Sequence, residues 1–355
     1  MRKLFLTLLT IVAAVSTVFT AAARPLYRFS VKVGVDSHTI DSLGGLDWVK
    51  KETARMFNRI NEAFASDERF VGEYSFEVDW DAFYVYDGVS TKEVYKPHPD
   101  HDYLVIIDGY KSSPEEQGGG WYGAQWQCVY HSRIHNGRFN NPFEQGAIDG
   151  IIHEFGHSRG MPDIYAMVVN ADRNPISHTE HRGVRCIMNY PYGERHWSSY
   201  AVNMINLAAD RRVEIDDLVA AMCPEKIVVN VTTRDGSVAK GAKVRLYPVG
   251  WYSYSVTPEV LAEFSTGEDG SVEMPGDIYG HWEEFGLRYP NLLVEAEWQG
   301  EKSYGWLPIY EVQMARFDGS ECHVLNLSIK GDKPTVVKEF DPEVGLQNLL
   351  NAKKK

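Results

Sequence analysis

The stretch His153-Glu154-Phe155-Gly156-His157-Ser158-Arg159-Gly160-Met161-Pro162-Asp163, HEFGHSRGMPD, gathers two imidazoles and two carboxylates in eleven residues and closes on Gly, Pro and Asp. Upstream, Asn141-Pro142-Phe143-Glu144 has the composition of a helix start, with Asn as N-cap and Pro in the first turn. The spacing predicts a helix from there to about Arg159. Gly160 then supplies a left-handed turn that other residues resist, and Pro162 keeps the helix from resuming. On such a helix His153 and His157, four apart, share one face and offer two nitrogens to one ion about 2 Å away. Glu154 lies beside that face, placed to accept a proton from water. The Gly160 turn brings Asp163 back as a third ligand and leaves a fourth position open, which is the pattern of a catalytic zinc ion. HExxH alone arises by chance in roughly a per cent of chains this long. The added Gly160 and Asp163 at fixed offsets make this match far more specific.

The chain opens with Met1-Arg2-Lys3, an apolar run from Leu4 to Phe19, and Thr20-Ala21-Ala22-Ala23. This is the layout of a secretory signal peptide over residues 1–23, cleaved near Ala23. No cysteine precedes Cys128, which argues against a lipid-anchored start, so the mature chain is expected to be secreted, extracellular or periplasmic. Loss of the leader, with two basic residues and no acidic one, takes the formal net charge from −13 to −15. That balance argues against nucleic acid or an anionic membrane as partner, and no second segment has the length to insert in a bilayer. Four cysteines, Cys128, Cys186, Cys223 and Cys322, permit up to two disulfides, with no pairing favoured by spacing.

Along the chain, Leu26 to Val35 has strand character and Leu46 to Ala65 a helical spacing of Leu46, Val49, Met56, Ile60 and Ala63. Tyr74 to Tyr86 and Tyr103 to Ile107 return to strand, and Gly118-Gly119-Gly120 leads into an aromatic segment, Trp121 to Tyr130. Ser198 is an N-cap for a further helix. The expectation is an α+β domain over 24–224, a mixed twisted sheet carrying the active-site helix. After Pro224 short β-rich runs alternate with Asp235-Gly236 and Asp269-Gly270 turns, which reads as an all-β sandwich over 225–335, with a solvated tail at 336–355. This second domain is expected to act as a spacer. Trp251, Tyr252 and Tyr254, read as exposed, offer a cell-surface or glycan contact as the other possibility, and strand packing explains them equally.

HEFGHSRGMPD resembles the extended zinc motif of the metzincin metallopeptidases in the variant whose third ligand is Asp. Cys186-Ile187-Met188-Asn189-Tyr190 resembles their Met-turn. The layout is similar to secreted bacterial peptidases such as immune inhibitor A and snapalysin, followed by a transthyretin-like or immunoglobulin-like module. The resemblance implies one catalytic zinc ion held by His153, His157 and Asp163. It implies Glu154 as general base and proton donor, and Met188 as an apolar floor beneath the site. It places Tyr190 where some metzincins use a tyrosine on zinc or on the oxyanion, with a packed aromatic as an equal reading and Tyr192 as a rival. His178, Glu180 and His181, between the two motifs, are alternative third ligands, and calcium is left open. The implied activity is a secreted zinc endopeptidase that cleaves protein or peptide substrates by Glu-assisted attack of zinc-activated water. Gly118 to Ala124 falls where such enzymes lay substrate along an edge strand. The competing readings are an adhesion protein on a peptidase-like fold and a zinc hydrolase of non-peptide bonds.

Overall fold

The computed structural model describes residues 24–88, 90–109, 120–123, 128–132, 141–189, 195–282 and 286–329. The leader at 1–23, Gly118 and Gly119, Tyr190, Tyr192, residues 330–335 and the tail at 336–355 lie outside the described residues, as does the side chain of Cys128.

Strand β1 (Leu26–Asp36) runs through the middle of the first sheet and buries Val31, Val33 and Val35 at alternate positions. It pairs in parallel with β2 (Glu73–Val78) and β3 (Tyr84–Tyr86) on one side and with β4 (Tyr103–Asp108) on the other. The strand character of Tyr74 to Tyr86 is therefore split in two. The break falls at Asp79, whose side chain accepts from the amides of Asp81 and Ala82 and bends the chain. Beyond β4 come β6 (Cys128–Ser132), parallel, and β5 (Gly120–Tyr122), antiparallel and the last strand of the sheet among the described residues.

Helix α1 (Ser37–Ser42) follows β1 and is capped by Asp36. Helix α2 (Leu46–Ala65) turns Val49, Met56, Ile60 and Ala63 inward, whereas Leu46 is exposed. A short α3 (Ser90–Glu93) lies over β4. The central helix is α4 (Gln145–Ser158), buried on almost every side. Its Phe155 ring meets Phe57 of α2, Phe76 of β2 and Tyr103 of β4 at centroid distances of 6.0, 4.6 and 5.4 Å. The expected start at Asn141-Pro142 is corrected here. The Asn141 side chain accepts from the Phe143 amide instead, closing a turn ahead of the helix. Phe143 is pinned there by Trp48 against its ring and Arg55 on its carbonyl, so the helix begins only after Glu144. Helix α5 (Ser199–Leu207) opens on Ser198, which accepts from the Ala201 amide, and α6 (Ile215–Ala221) ends the first unit.

From β7 (Lys226–Thr233) the chain builds two facing sheets. One orders β10 (Ser271–Pro275), β7 and β15 (Cys322–Ile329). The other orders β14 (Glu301–Pro308), β13 (Asn291–Trp298), β8 (Lys243–Pro248) and β9 (Ala262–Ser265), beside a small β11 (His281–Trp282) and β12 (Gly286–Leu287) ladder. Ile227, Val229 and Val231 from the first sheet and Val244, Leu246, Leu292 and Val294 from the second belong to one apolar core. Across β9, β8 and β13, Arg245 pairs with Glu263, Glu295 and Glu297 at 2.7 Å each.

The two units share a buried seam. Helix α7 (Ile309–Phe317), between β14 and β15, places Gln313 where it accepts from the Tyr200 hydroxyl and donates to the Val219 carbonyl, both at 2.6 Å. Asn291 donates to the Met167 carbonyl at 3.1 Å. One hydrophobic cluster runs through both units, so the second is packed on the first and not strung from it as a spacer would be.

Two further expectations change. Cys186, Cys223 and Cys322 carry free thiols, so among the described residues no disulfide staples the chain. Cys186 is instead a small core residue, its sulfur accepting from the Ser198 amide at 3.5 Å. Trp251 is buried with its indole N–H on the Leu287 carbonyl, which removes it from a glycan surface, while Tyr252 is 70% exposed. Among the described residues no helix is long and apolar enough to cross a membrane.

Candidate metal centre

Helix α4 positions its side chains by periodicity. Ile151 and Phe155 point into the core, and His153 and His157, two residues further on and so about 200° around the axis, point the other way. The helix ends in a Schellman turn: the Gly160 amide donates to the His157 carbonyl at 2.9 Å and the Met161 amide to the Gly156 carbonyl at 3.1 Å. Gly160 has φ +88, where a side chain would be strained, and a β-carbon there would also come within 2.8 Å of Leu218. The reversal carries Asp163 back over the imidazoles.

Three ligand atoms then converge. The His153 and His157 Nε2 atoms are 3.0 Å apart, and Asp163 Oδ1 lies 3.1 Å from the first and 3.3 Å from the second. A tetrahedral ion with ligand bonds of about 2.0–2.1 Å requires ligand–ligand edges of about 3.3–3.4 Å. The triangle is therefore close to the size that such an ion demands. Glu154 also has a carboxylate oxygen within 4.8 Å of a ring nitrogen of each histidine.

The supporting hydrogen bonds fix what those atoms are. His153 Nδ1 lies 3.0 Å from the Ile187 carbonyl and His157 Nδ1 2.6 Å from the Met161 carbonyl. A carbonyl only accepts, so each ring holds a proton on Nδ1 and turns Nε2 inward. Asp163 Oδ1 is buried against the two imidazoles. Two imidazole nitrogens and a buried carboxylate oxygen are thus aimed at one point, which the extra proton of His157 or a metal ion in its place can occupy. Once His157 gives up its extra proton, the donor set of two imidazoles and a carboxylate fits zinc.

Electrostatics report the same crowding. Burial by itself depresses the basicity of His157, but the adjoining Asp163 carboxylate outweighs it and lifts the imidazole to about 9. Burial likewise opposes ionisation of Asp163, and the two imidazoles overcome it, holding its carboxyl well below the usual range. Glu154 behaves oppositely. Its side chain reaches the mouth of the site, yet its carboxyl is enclosed enough that burial pushes its pKa up, against the pull of His153 and His157.

Beneath the helix, Met188 is fully buried, and a β-carbon on Gly156 would come within 2.4 Å of its sulfur. Gly156 is thus the gap through which the Cys186–Asn189 turn packs against the metal helix. That turn also accepts from His153 through Ile187 and from the Ile164 amide through the Met188 carbonyl, at 3.2 Å for the latter. Of the alternative third ligands, His181 is buried at the seam, its Nε2 3.9 Å from Glu311. Glu180 pairs with Arg182, and the His178 amide donates to the Asn174 carbonyl. Tyr190 lies outside the described residues.

Three contributors carry no mark in the motif. Arg159 is fully buried, donates to the Tyr103 hydroxyl at 2.8 Å and to the carbonyls of Ala208 and Arg211, and lies 4.6 Å from the centre of the Phe29 ring. It sits where the carbonyl ends of α4 and α5 meet, a negative pole that favours a cation. A basic residue next to a helix stop was the available signal. Tyr165 faces the His153 ring at 6.2 Å and Tyr254 meets Tyr165 edge-on at 6.3 Å.

No protein-family model and no curated protein matches the chain. Among solved structures, OgpA from Akkermansia muciniphila aligns over 80% of this chain and 91% of its own at 12% identity, with a TM-score of 0.24. Wild-type catechol 1,2-dioxygenase from Acinetobacter radioresistens aligns over 33% of this chain at 12% identity, with a TM-score of 0.18. The match spans 57% of the dioxygenase's length. Likenesses at these scores carry no argument, and the chemistry of the site rests on its own geometry.

Proposed function

We propose that the chain is an exported zinc endopeptidase of metzincin type. The observation that carries this reading is the convergence of His153 Nε2, His157 Nε2 and Asp163 Oδ1 to within 3.3 Å, with the Glu154 carboxylate alongside. His153, His157 and Asp163 would hold the ion, and Met188 and Gly156 keep the helix that carries both histidines on a rigid floor. Zinc, when bound, supplies a Lewis acid that polarises a peptide carbonyl and eases loss of a proton from water.

The remaining work belongs to the chain. Glu154, with its pKa raised by burial, is the base that takes a proton from the attacking water and later gives it to the departing amine. One C–O bond forms, the C–N bond breaks, and a carboxylate and an amine leave. Among the described residues strand β5 ends its sheet, antiparallel to β6, which supports a reading in which an extended peptide adds there as a further strand. The leader-like residues 1–23 support export, and the acidic balance supports a protein substrate over nucleic acid.

The test is the Glu154→Gln variant. It is expected to hold zinc at one ion per chain and to lose at least about 10³-fold in peptide hydrolysis, since its amide takes up no proton. Unchanged proteolysis in that variant rejects the reading.

A further inference from the structure

Tyr254 belongs to the second unit, in the connection between β8 and β9, yet its ring meets that of Tyr165, which faces His153 of the candidate metal centre. The loop around it is tightly closed. Its own amide donates to the Gly250 carbonyl at 2.9 Å, the Gly250 amide to the Ser255 carbonyl at 3.1 Å, and Val249 bridges Val256. The first unit grips the loop on both sides of Tyr254. Arg173 donates from its guanidinium to the Ser253 carbonyl and accepts from the Val256 amide, each at 2.8 Å.

Between these two grips Tyr254 has φ +50. For a bulky L-residue that left-handed conformation costs about 1–2 kcal/mol, and such strain persists where the surroundings over-determine it. What it achieves is placement. The half-buried ring is brought edge-on to Tyr165, whose ring faces the His153 imidazole. Burial raises the Tyr254 phenol's pKa, so the hydroxyl keeps its proton at neutral pH. A protonated phenol is a hydrogen-bond donor. Tyr165 shares a short 3-10 turn, Tyr165–Met167, with the ligand loop and forms the wall against which Tyr254 is steadied.

We propose that Tyr254, delivered by the second unit, donates a hydrogen bond from its hydroxyl to the peptide carbonyl oxygen as negative charge develops on it. This rests on the peptidase reading and deepens it, because the active site is then incomplete without the sandwich. The seam contacts of Gln313, Asn291 and Arg173 become the means of holding a catalytic side chain in register.

The experiment uses the full zinc-loaded chain and Tyr254→Phe, which keeps the ring against Tyr165 and removes only the hydroxyl. Four quantities are read: zinc content, kcat and KM on a peptide, peptide affinity in the Glu154→Gln background, and affinity for a phosphinic peptide. The phosphinate oxygens of the last imitate the charged carbonyl oxygen. Tyr254→Phe is expected to hold one zinc, to keep ground-state peptide affinity within about twofold, and to lose on the order of 10²-fold in kcat with a comparable loss of phosphinic-peptide affinity. Wild-type kcat and phosphinate affinity in Tyr254→Phe overturn the assignment, as does a loss carried by Tyr190→Phe or Tyr165→Phe in its place. A wild-type chain that holds zinc but neither cleaves peptides nor binds the phosphinic peptide overturns the peptidase reading, and this proposal with it. Cleavage by the wild type with an indifferent Tyr254→Phe overturns this proposal alone.

Discussion

Two sets of buried histidines are wired alike at one ring nitrogen and differ in what the other faces. His153 and His157 at the metal centre and His181 at the seam are each less than a tenth exposed, and each sets Nδ1 against a backbone carbonyl, of Ile187, Met161 and Met167 respectively. The difference lies at the other nitrogen. The first two turn Nε2 on each other and on the Asp163 carboxylate, within 3.3 Å. His181 turns Nε2 toward Glu311 at 3.9 Å and is flanked by the rings of Trp306 and Tyr310. A carbonyl on Nδ1 fixes a tautomer, but only convergence of lone pairs makes a cation site. His181 has the first property without the second, and it belongs to the packing of one unit on the other.

The sharpest way to break the comparison is His153→Ala. Removing one of three ligands is expected to weaken zinc binding on the order of 10³-fold, read by competition with a chromophoric chelator. Equal zinc affinity in this variant would mean that the ion lies elsewhere.

Gly156→Ala is expected to come next. Its methyl group meets the Met188 sulfur and the Trp197 ring, so either the helix or the turn beneath it must move. Overpacking of this kind costs about 1–3 kcal/mol. The loss should appear as a lower unfolding midpoint together with weaker zinc binding, whereas the same substitution at the open Gly241 turn should leave zinc binding unchanged. A Gly156→Ala chain of wild-type stability would show that Met188 is not packed as described.

The pH dependence is smaller and has a definite sign. In the metal-free chain His157 is raised to about 9, so near neutrality its proton must leave before an ion can bind. Zinc affinity should therefore climb about tenfold per pH unit from 7 toward 9 and flatten above, one proton being released per ion. The same raised value stabilises the metal-free fold fully below the unfolded imidazole's pKa of about 6.5 and is lost as pH rises through about 9. Proton release measured by titration in two buffers of different ionisation heat checks the count, and a pH-independent affinity contradicts it.

The smallest effect completes the contrast. His181→Leu should leave zinc affinity within about twofold of wild type and lower the unfolding midpoint only modestly, because what it removes is a hydrogen bond of about 1 kcal/mol on the Met167 carbonyl. Loss of zinc in that variant would make His181 a ligand after all.

How much of this was legible in the chain follows from how far apart the interacting residues lie. The ligands and their turn sit within eleven residues, so helical periodicity and the left-handed preference of glycine were enough to read them. Helix α2 was legible for the same reason, through Val49, Met56, Ile60 and Ala63. The start of α4 was misread because Asn141 is equally suited to cap a helix or to close a turn, and only the burial of Phe143 decides between them. The need for glycine at 156 depends on Met188, thirty-two residues on, and the buried role of Arg159 depends on the end of α5. Tyr254 stands out in the sequence only as a surface aromatic beside Trp251 and Tyr252, and its contact with Tyr165 is not legible from pattern. Its placement requires the packing of one unit on the other, and in sequence it reads like any aromatic in a β-rich loop.

The most direct test of the central claim is X-ray absorption at the zinc edge on the full chain loaded with one equivalent. A shell of nitrogen and oxygen only is expected, with the signature of two imidazoles at about 2.0–2.1 Å, lost in His153→Ala and kept in His181→Leu. A sulfur shell at about 2.3 Å, drawn from the free thiols of Cys186, Cys223 or Cys322, or a chain that never takes up the metal, would contradict it.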